Sequence, residues 1–382
     1  MSYLALNQST YHRPYAKCIV LRTICMIVFT TTGLACRDQP SVTSVQWVDV
    51  APEAGMHFTH YNDARGQYHY VETFGSGAAF LDYDGDGYLD IYLVNGAPID
   101  SAMATAAPSN QLYHNRGNGM FGARSSEAGA GDRGYGMGVS AADYDGDGDG
   151  DIFVTNFYGE TNTLYRNDGQ LQFVDATSSS GLAAPSVEYL GWGAHFFDAD
   201  SDGDLDLFSV NSHVYPQVDQ ASTGGGYAQR NQLFRNDGGG YVEVDGGPGL
   251  AVKAVSRGTA SGDYDGDGDV DLLVTNLDEA PTLLRNDTET SNGHIAVDLL
   301  GKGLNRHGVG AQVGVRVNGQ TLLRTVNSGS GYLGANGLRL HFGLGPGARA
   351  EWVSVQWPSG ARDTVRTVAG GTVLRLSEGG EK

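Results

Sequence analysis

A chain of 382 residues is long enough to bury a sizeable core in two or three domains, and 57 glycines with only 18% charged residues point away from a helical protein towards short strands joined by turns. A formal net charge of -20 argues against nucleic-acid binding, which needs a basic face. The three cysteines, Cys18, Cys25 and Cys36, fall within the first 36 residues, so the body folds without disulfide or thiol chemistry.

Residues 1–35 hold Arg13, Lys17 and Arg22, no acid, and the apolar run Thr23-Ile-Cys-Met-Ile-Val-Phe29 followed by Thr30-Thr-Thr-Gly-Leu-Ala35. This is the pattern of an export leader. It is too short and too rich in threonine for a membrane span of about 20 apolar residues. Leu34-Ala35-Cys36 resembles a bacterial lipobox with Cys36 as the lipidated residue, although Gly33 stands where leucine is usual. The plainer reading is an ordinary cleaved leader with an incidental cysteine. Residues 36–44 then read as a short linker.

The body repeats. Acidic loops begin at Asp82, Asp143, Asp198 and Asp263, spaced by 61, 55 and 65 residues. Before each stands a small, glycine-rich apolar stretch such as Gly136-Met-Gly-Val-Ser-Ala-Ala142, and after each an apolar run such as Ile152-Phe-Val154. Continuous apolar runs of this length fit strands covered on both faces. A third strand follows in each unit: Asn110-Gln-Leu-Tyr-His-Asn115, Asn162-Thr-Leu-Tyr-Arg-Asn167, Asn231-Gln-Leu-Phe-Arg-Asn236 and Pro281-Thr-Leu-Leu-Arg-Asn286. Turns such as Asn167-Asp-Gly169 lead to a fourth short strand, Phe173-Val-Asp175 or Tyr241-Val-Glu-Val244. Four strands in a unit of about 60 residues make one propeller blade. The fourth unit lacks its last strand, and Gln46-Trp-Val-Asp-Val50 followed by Glu53-Ala-Gly55 resembles Gln172-Phe-Val-Asp175 followed by Ser180-Gly-Leu182. The expectation is that this N-terminal segment supplies the missing strand and closes the ring, hiding the sheet edges.

Each loop carries acids at positions 1, 3, 5 and 9: Asp82, Asp84, Asp86, Asp90; Asp143, Asp145, Asp147, Asp151; Asp198, Asp200, Asp202, Asp206; and Asp263, Asp265, Asp267, Asp271. Four carboxylates about 4 Å apart repel by roughly 1 kcal/mol per pair in water and about 4 at an effective dielectric near 20, so a cation has to hold the loop closed. Glycine at position 6 (Gly87, Gly148, Gly203, Gly268) provides the sharp turn such a loop needs. Many hard oxygen donors suit Ca²⁺; Mg²⁺ keeps more water, and Zn²⁺ prefers His or Cys. An EF-hand is excluded, because its loop closes on Glu at position 12 between helices. Solvated Asp-Gly turns are the bland alternative, and four matching registers weigh against it.

From residue 291 onward the acidic loops stop, and alternating strands such as Ala311-Gln-Val-Gly-Val-Arg-Val317 and Trp352-Val-Ser-Val-Gln-Trp357 predict a second all-β domain. Residues 36–290 carry 11 basic and 39 acidic residues, net -28, whereas 291–382 carry ten and five, net +5. Long-range attraction between them predicts docking of the basic domain onto the acidic one, with Arg306, Arg316, Arg324 and Arg339 as candidate contacts.

The acidic repeats resemble FG-GAP or VCBS repeats of β-propellers. Asn305-Arg-His-Gly-Val-Gly-Ala311, Ser328-Gly-Ser-Gly-Tyr332, Leu340-His-Phe-Gly-Leu-Gly345 and Val355-Gln-Trp-Pro-Ser-Gly360 are similar to the ASPIC/UnbV domain. Together, over about residues 45–380, they resemble the cartilage acidic protein 1 family. The resemblance implies an exported all-β protein: a calcium-binding β-propeller over 45–290, of about four blades where related propellers have about seven, followed by a small β-sandwich-like ASPIC/UnbV domain over 291–380. It implies that the sixteen aspartates carry the metal. It also implies a non-catalytic binding or adhesion module in the periplasm, at the cell surface or outside the cell. The partner is an unidentified extracellular protein or glycan, no nucleic acid is expected, and a lipid on Cys36 is the only membrane link. The alternative is a polysaccharide-binding or polysaccharide-processing enzyme, since tyrosine-rich faces stack sugars; packing within the repeats explains the 20 tyrosines better. No nucleophile and base stand out, and His195, His213, His307 and His341 read as structural. Glu72 and Glu188 read as partners of nearby turns.

Overall fold

The computed structural model describes residues 47–66, 69–99, 108–169, 172–220, 225–238, 240–347 and 349–380. The leader, Cys36, the linker 36–44 and Gln46 lie outside them. Residues 49–382 form one compact unit.

Each acidic repeat folds as an antiparallel meander with strands in chain order. The first blade is Ala78–Leu81, Asp90–Leu93, Gln111–Asn115 and Phe121–Ala123; the second is Gly136–Ala142, Asp151–Asn156, Thr163–Asn167 and Phe173–Asp175. The third is Gly191–Phe197, Asp206–Asn211, Gln232–Asn236 and Tyr241–Val244. The fourth has three strands, Ser256–Gly262, Asp271–Asn276 and Thr282–Leu284. Successive blades pack face to face. One core joins Tyr92 of the first blade to Ile152 and Val154 of the second, and another joins Phe153 of the second to Leu207 of the third. That two-sided cover is why the second strands of the second and third blades are buried along their whole length.

A side-chain staple repeats between blades. The asparagine ending each third strand donates to a backbone carbonyl of the preceding blade's acidic loop: Asn167 to Tyr83 at 2.6 Å, Asn236 to Tyr144 at 3.1 Å and Asn286 to Ala199 at 2.8 Å. Asn115, with no blade before it, reaches Leu89 of its own blade.

The expected ring closure does not occur. Among the described residues, 47–50 form no strand, Val50 is exposed, and the fourth sheet keeps three strands. The likeness to the second repeat holds for the turn instead. Ala54 O accepts from Phe121 N of the first blade, just as Ser180 O accepts from Tyr241 N of the third. Bonds from Ala54 N to Val50 O and from Met56 N to Ala51 O close the turn on itself, and the Phe121 bond ties it to the first blade's outer strand, the wrong blade to complete the fourth.

The second domain follows as two sheets. Asn292–Leu300 lies between Leu340–Pro346, antiparallel to it, and Thr372–Ser377, parallel to it. Facing them is the order Gln320–Thr325, Gln312–Val317, Ala350–Gln356, Arg362–Val368. Alternating Val313, Val315, Val353 and Val355 pack with Ile295, Val297, Phe342 and Trp357 in the core between the sheets.

Candidate metal centres and the face they share

Each acidic loop joins the first strand of a blade to the second, which places all four at equivalent strand ends. The position-9 carboxylates are built in most deeply: Asp90, Asp151, Asp206 and Asp271 are at most 2% exposed. One oxygen of each accepts from loop position 2 (Tyr83, Tyr144, Ala199, Tyr264) at 2.8–3.1 Å. The other accepts from the third-strand asparagine N–H (Asn115, Asn167, Asn236, Asn286) at 2.7–2.9 Å. Position 9 is therefore oriented by the backbone. Burial pushes Asp151 up to about 9, Asp206 to about 8 and Asp90 to about 6.

Position 1 meets this group from across the loop. Ligand atoms of Asp143, Asp145 and Asp151, of Asp198, Asp200 and Asp206, and of Asp263, Asp265 and Asp271 gather within 4.8 Å of one another. The position-5 acids stand outside those three groups and brace the turn, Asp147 accepting from Asp149 N, Asp202 from Asp204 N and Asp267 from Asp269 N. In the first loop Asp82, Asp84 and Asp86 gather instead, while Asp90 joins Asp84 and His114.

The fit of a cation is tested by what the carboxylates lack. Asp143 is 8% exposed, yet neither of its oxygens has a hydrogen-bond partner, and Asp82 Oδ1 and Asp200 Oδ1 are also buried without one. Such atoms are costly unless something positive meets them. The donors are hard oxygens, which fits Ca²⁺.

The second domain docks on the face carrying the loops. Arg324 Nη2 donates to Gly203 O at 3.1 Å, its guanidinium lies over the Phe342 ring, and the charges of Asp198, Asp143 and Asp204 surround it. Gly343 N donates to Asp198 Oδ2 at 2.9 Å, and Arg339 lies 3.8 Å from Asp263. Arg324 and Arg339 are thus the contacts that charge asymmetry predicts. Arg316 bonds Thr321 within its own domain and Arg306 is exposed, and neither pairs with an acid of the loops.

A loop over residues 328–337 reaches further, along the first strands of the blades. Gly331 N donates to Val139 O at 2.7 Å and Tyr332 packs on Trp192. Gly331 has φ +70°, and a Cβ there would meet Ala194 O at 2.6 Å. His195 is pinned between Ser261 Oγ, 2.6 Å from Nε2, and Ser330 Oγ, 2.9 Å from Nδ1; Asn336 bonds Ser330 and receives Ser261 N. His213 and His341 are also partly buried, whereas His307 is exposed. Glu72 accepts from His69 N in a 3₁₀ turn. A cavity of about 770 Å³ remains between the loops and the second domain, lined by polar groups including His195, Gln312, Arg324 and Asn336.

Sequence reasoning misses His114, although the repeat alignment carries the signal: it stands where the other blades have Arg166, Arg235 and Arg285.

Known proteins share this order of parts. An FG-GAP-like repeat family matches residues 82–154 and 143–209, and the ASPIC and UnbV family matches 301–382. Cartilage acidic protein 1 of Mus musculus is 31% identical over 263 residues, covering 66% of this chain and 38% of that protein. The Homo sapiens protein is 30% identical over 281 residues, covering 70% and 40%. The chain spans about two fifths of the length of these relatives. Among solved structures, an Agrocybe aegerita lectin that recognises non-reducing terminal N-acetylglucosamine aligns with TM-score 0.33 and 17% identity over 77% of this chain and 80% of its own. The V. cholerae biofilm matrix protein Bap1 aligns with TM-score 0.28 and 13% identity over 76% and 59%. Among the described residues no helix is long and apolar enough to cross a membrane.

Proposed function

We propose that this chain, which carries FG-GAP-like repeats followed by an ASPIC/UnbV domain and is similar to cartilage acidic protein 1, is an exported, calcium-binding, non-catalytic binding module. The observation that carries the reading is the set of buried carboxylate oxygens without a donor, above all both oxygens of Asp143. In the second to fourth loops the acids at positions 1, 3 and 9 would hold the ion and position 5 would brace or complete the site, and in the first loop Asp82, Asp84 and Asp86 would hold it. Bound Ca²⁺ would supply the positive charge that lets these acids stay ionised while buried. Export rests on the basic, acid-free first 35 residues. The partner is an extracellular protein or glycan, met on the outer faces of the propeller or the second domain.

The enzyme reading has one observation behind it, the short contact between Ser261 and His195. Three features oppose it. Burial pushes His195 down to about 4, too low for a base poised near neutrality. Ser330 rather than a carboxylate faces its second nitrogen. The Ser261 hydroxyl is spent in joining the fourth blade to the third, and that of Ser330 in holding the second domain to the first.

Calorimetry and thermal melts test the calcium reading. Chelation should lower the melting temperature and calcium restore it, each loop contributing about 0.4–1.4 kcal/mol at about 1 mM calcium for an extracellular-type site of about 10⁻⁴–10⁻³ M. An unchanged melt at low salt after chelation would end the reading. A glycan array run with and without calcium tests the partner class.

A further inference from the structure

The first blade departs from the other three at two positions that belong together. In blades two to four an arginine stands just before the stapling asparagine and an aspartate just after it. Arg166, Arg235 and Arg285 pair with Asp168, Asp237 and Asp287 at 2.6–2.8 Å along their own hairpins, and Arg166 Nε comes no nearer than 4.0 Å to Asp145 of its loop. In the first blade the arginine is replaced by His114 and the aspartate by Arg116, so neither half of that pair exists.

The imidazole turns inward instead. Its Nδ1 lies 3.1 Å from Asp84 Oδ2 and 3.3 Å from Asp90 Oδ1, and makes a hydrogen bond to neither. Asp90 is wholly buried and already accepts from two backbone N–H groups, so its position is fixed without the histidine. The Tyr83 ring meets the imidazole edge to face at 6.0 Å and holds its plane. In the same loop Asp82 Oδ1 is buried with no partner. The ligand atoms of Asp84, Asp90 and His114 lie within 4.8 Å of one another, close enough to share one ion. The loop is also open: a Cβ at Gly85 or Gly87 would meet nothing within 4 Å, whereas one at Gly203 would come within 3.4 Å of Gly343 O in the second domain.

We infer that the first blade holds a site for a divalent transition metal, taking Asp84, Asp90 and His114 as ligands, where the other blades present oxygen donors alone. Imidazole is a poor ligand for Ca²⁺ and a good one for Zn²⁺ and its neighbours in the first transition row, so one substitution changes which ion the loop prefers. The inference rests on reading the acidic loops as cation sites.

The test titrates Zn²⁺ into the metal-stripped chain held in saturating Ca²⁺, for the natural protein and for His114→Arg, which installs the residue of the other blades. The natural protein should bind one equivalent, and His114→Arg should weaken that binding by about tenfold or more. X-ray absorption on the zinc-loaded natural protein needs no variant and should show one imidazole among oxygen ligands. Absence of zinc uptake, equal uptake by both proteins, or an all-oxygen shell would each overturn the inference. If Ca²⁺ binds and Zn²⁺ does not, this inference alone fails; if no divalent cation binds at all, the calcium reading fails with it.

Discussion

The second and fourth blades are written almost alike, Asp143-Tyr-Asp-Gly-Asp-Gly-Asp-Gly-Asp151-Ile-Phe-Val-Thr-Asn156 against Asp263-Tyr-Asp-Gly-Asp-Gly-Asp-Val-Asp271-Leu-Leu-Val-Thr-Asn276. Their side chains meet different surroundings. Phe153 and Leu164 are completely buried, while Leu273 and Leu283, at the same positions of the fourth blade, are 42% and 52% exposed. The opposite face of the fourth blade, with Leu272 and Val274, is buried against Phe208 of the third. A blade's pattern thus fixes its strands and its loop, but the blade that follows decides whether its far face is core.

The largest effect should separate these two positions. Phe153→Ala removes a fully buried ring between two blades and should cost about 3–5 kcal/mol in urea unfolding. Leu273→Ala leaves no comparable cavity and should cost less than about 1 kcal/mol. Equal losses would break the comparison, because they would mean that the far face of the fourth blade is covered in solution.

What the sequence made legible follows from the same contrast. The four loops, the apolar second strands, the hairpins and the change of character near residue 291 are local patterns repeated several times, so each copy supports the others. Residues 47–50 do not close the ring, because the likeness to the second repeat resides in the turn at 51–55 and not in the segment before it. Only the turn kept its place, against Phe121. The reach of residues 328–337 into the blades was invisible, since Gly331 and Tyr332 gain their meaning from Val139, Ala194 and Trp192, far away in the chain. Charge asymmetry did name Arg324 and Arg339. It could not distinguish them from Arg306 and Arg316, because net charge sets attraction and not which strand end faces the loops.

A middle-sized effect sharpens the comparison at the third blade, which the second domain covers. His195 occupies a position that is Ala79, Ser140 and Ala260 in the other blades, and it alone among them titrates. Its folded value, pushed down to about 4 from an ordinary 6.5 by burial, lies below the unfolded one. Its contribution is therefore complete above about pH 6.5 and is lost as the pH falls towards 4. By pH 5 the loss should be about 2 kcal/mol, at roughly 1.4 kcal/mol per unit. His195→Asn, neutral throughout, should flatten that limb in urea titrations at pH 7 and pH 5 in saturating Ca²⁺. An unchanged acid limb would show that the latch between His195, Ser261 and Ser330 opens before the imidazole is protonated.

The smallest effect concerns the asparagine staples and asks whether coupling between blades, rather than order within one, sets the difference. Asn236 donates both to Leu205 O of its own blade and to Tyr144 O of the blade before, and its Oδ1 receives Gly238 N. Asn115 makes the matching bonds inside its own blade, to Leu89 O and from Gly117 N, and has no earlier blade to reach. Truncating either residue removes the local pair, which is exposed at Asn115 and buried at Asn236, so the local cost of Asn236→Ala is at least as large as that of Asn115→Ala. To that is added the carbonyl of Tyr144, buried and left without its donor, worth about 1 kcal/mol beyond the local loss. Asn236→Ala should therefore be at least about 1 kcal/mol more destabilising than Asn115→Ala by urea titration. If the two variants lose the same amount, the staple adds nothing across the boundary, and the apolar contacts of residues such as Phe153 with Leu207 carry the coupling between blades by themselves.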